Sequence, residues 1–214
     1  MNSLNIDDFK NIFSEISTLM NDNKNYLCEL DGVLGDGDIG VTMASGFSFV
    51  KKELQEKQSL GDFGQFFRTC GSVMSEKAPS TMGTLLGSGF IKASKSLKGK
   101  ESLDQSDIVE LFNQINDGIQ SRGKAEIGDK TILDALTPAV KALEKEKNAS
   151  IETMILEAYK AAEVGMKQTI EMQSNKGRGA RYQENSKGKQ DPGATVAKLI
   201  FEGFRIYINQ HKAI

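Results

Sequence analysis

Apolar residues recur at intervals of three and four from the start of the chain, in Ile6, Phe9, Ile12, Phe13, Ile16, Leu19 and Met20. This is the stripe of an amphipathic helix. The same spacing returns over residues 41–54, 63–74, 82–91, 108–119, 132–143, 151–172 and 196–208, and predicts about eight helices. No segment sustains the period-two alternation of β-branched and aromatic residues that a sheet needs, so the pattern predicts an all-α fold. Ser59 with Asp62, and Ser102 with Gln105, have the spacing of capping boxes at helix starts. Phe63, Phe66 and Phe67 share a helical face and are expected in the core. No Pro-, Gly- or Ser-rich linker divides the pattern, so residues 1–214 are expected to form one domain.

Composition narrows the function classes. Of 214 residues, 27 are Lys or Arg and 29 are Asp or Glu, for a net charge of -2. No global basic field is available to hold a nucleic acid. The first residues lack the basic and apolar regions of a leader, and no run of apolar residues is long enough for a membrane span, so a cytoplasmic protein without membrane contact is expected. Cys28 and Cys70 lie outside any C-x-x-C spacing and are expected to be reduced, packed thiols. The single histidine, His211, removes most histidine-based chemistry. Any reaction must run on carboxylates, basic side chains and backbone.

The richest segment is residues 30–43, LDGVLGDGDIGVTM, where Asp31, Asp36 and Asp38 stand in a glycine-rich turn before a helix. Carboxylates so close repel one another and call for a counter-cation. An oxygen-only ligand set suits a hard ion, and Mg²⁺ is commonly held by a few carboxylates together with phosphates of a substrate. Gly35, Gly37 and Gly40 match G-x-G-x-x-G literally, but no strand precedes them and Asp36 and Asp38 would repel a pyrophosphate. An EF-hand fails too, because its twelfth position is Thr42 or Phe47 rather than glutamate. No Gly-Lys pair is followed by Ser or Thr, which excludes a Walker A loop.

Two further segments carry chemistry. Residues 121–131, SRGKAEIGDKT, precede a helix for which Asp129 is the expected N-cap. Residues 176–190 place Lys176, Arg178, Arg181, Lys187 and Lys189 among glycines, which reads as a flexible, locally basic lid. Asp191, Pro192 and Gly193 then form a turn into the last helix, with proline suited to its first turn.

These three segments, in this order, resemble the nucleotide-binding L subunits of bacterial dihydroxyacetone kinases over nearly the whole chain. The resemblance implies an eight-helix up-and-down barrel with ADP or ATP at one end, held through two Mg²⁺ ions. By position, Asp31, Asp36 and Asp38 match the metal ligands. Ile39, Gly40, Val41 and Thr42 match the phosphate-binding helix start, and Thr81, Met82, Gly123, Ile132, Arg178, Asp191, Pro192 and Gly193 match other nucleotide contacts. Arg178 is the candidate catalytic residue, and adenine is expected near Met82 and Ile132. The implied activity is a phosphotransferase subunit of glycerone kinase type, active only with a K-type subunit that holds the ketose on a histidine. An M-type phosphotransferase-system subunit is a further implied partner, and dimerisation of the chain itself is compatible with the sequence. Ile39 departs from the family's histidine, and Pro79-Ser80-Thr81-Met82-Gly83 departs from its glycine-rich run. The alternatives are a kinase subunit serving a tetrulose, and a nucleotide-loaded subunit that binds a transcription regulator.

Overall fold

The computed structural model describes residues 3–57 and 60–211. Among these, nine α-helices form: α1 (Ile6–Asp22), α2 (Lys24–Leu34), α3 (Ile39–Glu56), α4 (Phe63–Lys77), α5 (Thr81–Ser96), α6 (Gln105–Gly123), α7 (Leu133–Lys145), α8 (Ile151–Gln168) and α9 (Pro192–Gln210). A 3-10 segment spans Arg178–Ser186. Eight helices close a ring, α1 on α3, then α4 through α9 in chain order, and α9 back on α1. From α3 to α8 short connections make neighbours antiparallel, as in an up-and-down bundle, while α2 separates α1 from α3 and residues 169–191 separate α8 from α9. The only strands among the described residues are two-residue pieces, β1 (Leu4–Asn5) and β2 (Ser102–Leu103), paired antiparallel. They tie the entry of α1 to the entry of α6, and the fold is all-α.

The core fills the ring from one end. Phe9, Phe63, Phe66 and Phe67 are almost fully buried. Phe9 meets Phe63 edge-on at 4.8 Å between centroids, and Phe112 stacks on Phe201 at 4.7 Å. Such edge-to-face and offset contacts use the ring quadrupoles as well as the buried area. Phe9 and Phe63 stand at the starts of α1 and α4, so this aromatic core lies toward the end where those helices begin. The glycine segments gather at the opposite end, where α3, α5, α7 and α9 begin.

Several elements depart from the periodicity. Helix α2 was not expected, because it buries only Leu27 and lies outside the ring; without an apolar stripe its residues read as a turn. Helix α8 stops at Gln168 rather than near Met172. Ser59 lies outside the described residues, and Asp62 is itself the N-cap of α4, accepting from the Gln65 amide at 2.7 Å. For α6 the cap is Asp104, whose capping box closes with Asp107 rather than joining Ser102 to Gln105. No described helix is long and apolar enough to cross a membrane.

Candidate functional site

Helix α2 delivers Asp31 from its last turn, and the backbone then reverses through Gly35 and Gly37 into α3. Gly37 has φ of +77°, a left-handed conformation that favours glycine. One oxygen of Asp31, Oδ2, accepts from the amides of Asp38 at 3.0 Å and Ile39 at 3.3 Å. This closes the turn and brings Asp31, Asp36 and Asp38 together, with one oxygen of each within 4.8 Å of the others. Burial pushes the Asp38 carboxyl above its ordinary range, and the charges of Asp36 and Asp31 push the same way. Arg178 Nη1 lies 2.6 Å from Asp36 Oδ2, so a guanidinium supplies part of the cation that the cluster demands. The donor set fits a hard divalent ion: all oxygen, all carboxylate and partly exposed.

Asp31 thus belongs to a helix rather than to a loop, and the crossing of α2 over α3 sets its position. A Cβ at Gly40 would run into the Lys24 carbonyl and approach Cys28 Sγ to 2.7 Å. Glycine there allows the two backbones to touch. Ile39 is buried, and so contributes its amide to the site and its side chain to the core. Val41 is exposed beside the cluster. Thr42 differs from expectation, because its amide already donates to the Asp38 carbonyl at 3.0 Å within the helix. The amides of Gly40 and Val41 belong to the opening turn, which has no intrahelical acceptor for them.

The other predicted contacts collect at the same end. Ser80 caps α5 through the Gly83 amide, which places Thr81 in the first turn, exposed, with Met82 after it. A Cβ on Gly193 would meet Met82 Cε at 2.8 Å and the Ile132 nitrogen at 3.2 Å, so these three converge. Gly123 is the last residue of α6, exposed, with Leu85 of α5 as its neighbour. Asp191 is the N-cap of α9, accepting from the Ala194 amide at 2.7 Å, and Pro192 occupies the first turn. Burial raises the Asp191 carboxyl to about 7, against the lowering effect of the Ala194 amide.

Two expectations are corrected. Asp129 is not a helix cap; its carboxylate accepts from the Glu126 amide at 2.9 Å and ties the preceding loop, while Ile132 stands at the cap position of α7. The basic segment is not a floppy loop, since Arg178–Ser186 winds into 3-10 turns, kinked at Gln183, and the Ser174 amide donates to Ser186 Oγ at 2.8 Å. Residues that the sequence reading passed over support both. Asp134 is buried and accepts from the amides of Gly128 and Thr131, each at 2.6 Å. Its signal was a carboxylate standing within an apolar helical pattern. Thr169 accepts from the Asp191 amide at 3.0 Å, and Lys130 is buried between loops.

The DAK2 domain family matches residues 33–205. The chain belongs to this family. Among its relatives, the ADP-binding subunit DhaL of a PEP-dependent dihydroxyacetone kinase from Escherichia coli is 36% identical over 179 residues, 83% of this chain and 85% of the relative. The ADP-binding subunit DhaL of a PTS-dependent dihydroxyacetone kinase from Lactococcus lactis is 34% identical over 199 residues, 93% of this chain and 96% of the relative. With such relatives this DAK2-domain chain is of the DhaL type. The crystal structure of the dihydroxyacetone kinase of C. freundii superposes with a TM-score of 0.75 at 25% identity, over 92% of this chain and 34% of that one. This chain therefore spans about a third of that solved kinase.

Proposed function

We propose that this chain is the nucleotide-binding subunit of a dihydroxyacetone kinase, which holds ADP or ATP with Mg²⁺ and passes a phosphoryl group to a short ketose carried by a separate K-type subunit. The observation that carries the reading is the Asp31, Asp36 and Asp38 cluster at the end where Met82, Ile132, Gly193 and Arg178 also gather. Its membership of the DhaL type supports the same assignment. We read residues 1–214 as one cytoplasmic unit. The relatives' dependence on PEP or a phosphotransferase system supports an M-type partner that recharges bound ADP.

Phosphoryl transfer asks a protein for positioning and charge neutralisation more than for covalent chemistry. Asp31, Asp36 and Asp38 would hold two Mg²⁺ ions, which when bound offset charge on the phosphates. Asp31 is held by the Asp38 and Ile39 amides, so its orientation is fixed before any ligand arrives. Ile39, Gly40, Val41 and Thr42 form the helix start that faces the phosphates, where Gly40 and Val41 supply free amides and positive helix-end potential. Arg178 supplies positive charge at the acidic cluster and is the candidate catalytic group. Thr81, Met82, Gly123, Ile132, Asp191, Pro192 and Gly193 line the remainder, with Met82 and Ile132 as the apolar bed for adenine.

Thermal unfolding with ADP, with and without Mg²⁺, tests this. Ligand at about 100 times its dissociation constant stabilises by roughly 2.7 kcal/mol, on the order of 5 to 10 °C here. The shift should need the metal and vanish in Asp36→Asn. With a K-type subunit loaded with dihydroxyacetone, the wild-type chain should turn over. A metal-independent shift, or one kept in Asp36→Asn, would refute the assignment.

A further inference from the structure

Lys130 has no part in the site as described, yet its surroundings are unusual. It is 3% exposed, a burial that strips an ammonium of hydration and demands hydrogen-bonding partners. Its backbone is left-handed, with φ of +62°, which an L side chain adopts at a cost. The side chain spans between loops distant in sequence. Nζ donates to the Met172 carbonyl at 3.1 Å and to the Ser186 carbonyl at 2.5 Å. Those carbonyls stand on either side of Arg178, one before the basic segment and one at the end of its 3-10 turns. Supporting bonds close the same loop: Gly188 amide to Ile170 carbonyl at 2.7 Å, and Asn175 amide to Asp129 carbonyl at 3.1 Å. Burial lowers the Lys130 pKa below the ordinary lysine value, and the nearby charges of Asp191 and Glu171 only partly oppose it.

We propose that Lys130 is a positioning residue for Arg178. It staples the two ends of residues 172–186, so that the loop between them presents Arg178 at the Asp31, Asp36 and Asp38 cluster. The same lysine lies at the entry to α7, two residues from Ile132, so one side chain links the floor of the nucleotide site to the segment that bears Arg178. This rests on the functional reading above. A lysine with only a packing role would leave the effect of Arg178 on binding independent of its own. A staple makes the two effects one.

The test uses the full chain as Lys130→Met, Lys130→Gln, Arg178→Ala and the double variant Lys130→Met with Arg178→Ala. Two quantities are read: the rate of tryptic cleavage within residues 176–189 well below the unfolding temperature, and Mg·ADP affinity by calorimetry. Lys130→Met should speed cleavage and weaken affinity, each by about tenfold, the scale on which supporting residues act on a bound metal or ligand. In the Arg178→Ala background it should cost no further affinity, the non-additivity of residues that act as a unit. Lys130→Gln keeps a donor amide on a shorter side chain and should fall between, and it carries the same comparison with Arg178→Ala if the methionine variant does not fold. Unchanged cleavage, or affinity losses that simply add, would overturn the proposal. A wild-type chain that binds no Mg·ADP would refute the functional reading, and the cleavage arm would still decide whether Lys130 anchors the segment.

Discussion

Asp191 shows how a single carboxyl couples the fold to pH. Its amide donates to Thr169 Oγ1 and its carboxylate accepts from the Ala194 amide, so it joins the end of α8 to the start of α9. Burial raises it from 3.8 to about 7, and Asp134 adds in the same direction while Lys130 opposes. The folded chain therefore binds this proton more tightly than the unfolded one. The linked stability is fully present below the unfolded value and falls as pH rises through the interval up to about 7. Thermal unfolding of the ligand-free chain between pH 4 and 8 should show this decline, and Asp191→Asn should flatten it while retaining the cap; an unaltered profile in the variant would contradict the assignment. At this scale the sequence revealed the three aspartates, whose spacing in a glycine-rich turn brings their carboxylates together. It did not reveal Lys130, whose partners lie 42 residues away or more, or the bond that Thr169 accepts from Asp191, 22 residues away.

At the scale of elements, the site depends on how closely α2 crosses α3. The Gly40 contact with the Lys24 carbonyl lets Asp31, at the end of one helix, accept from the first amides of the other. Gly40→Ala should force the helices apart and cost ~1–3 kcal/mol, the usual scale of overpacking. It should also lower Mg·ADP affinity, because Asp31 and Asp38 would separate. Thermal unfolding and calorimetry on the same variant check both, and full affinity beside a lowered melting temperature would show that the crossing is structural only. The ring helices were legible because each buries an apolar stripe. Helix α2 was not, because a helix that buries only Leu27 leaves almost no stripe to read. The cap of α6 shifted because Asp104 and Asp107 each accept from the other's amide, while the pairing of Ser102 with Asn5 takes that serine into a strand.

For the whole molecule, the aromatic core and the acidic site occupy opposite ends of one ring, so stability and binding are separable. Phe66 is fully buried and meets Phe13 edge-on at 5.4 Å. Phe66→Ala should cost ~3–5 kcal/mol, the range for emptying a buried aromatic site, and should leave Mg·ADP affinity unchanged where the variant remains folded. A matching loss of affinity would show that the two ends are coupled. The sequence by itself determined the all-α class, the ring helices, the aromatic core and the closeness of the three aspartates in the acidic turn, because periodicity and local charge density are properties of neighbouring residues. Only the tertiary structure decided that Asp31 meets the first amides of α3, that the basic segment is wound and tied rather than loose, and that Lys130 bridges two loops. Those features depend on which backbones meet across the ring, and distance in space between residues far apart in sequence leaves no periodic trace along the chain.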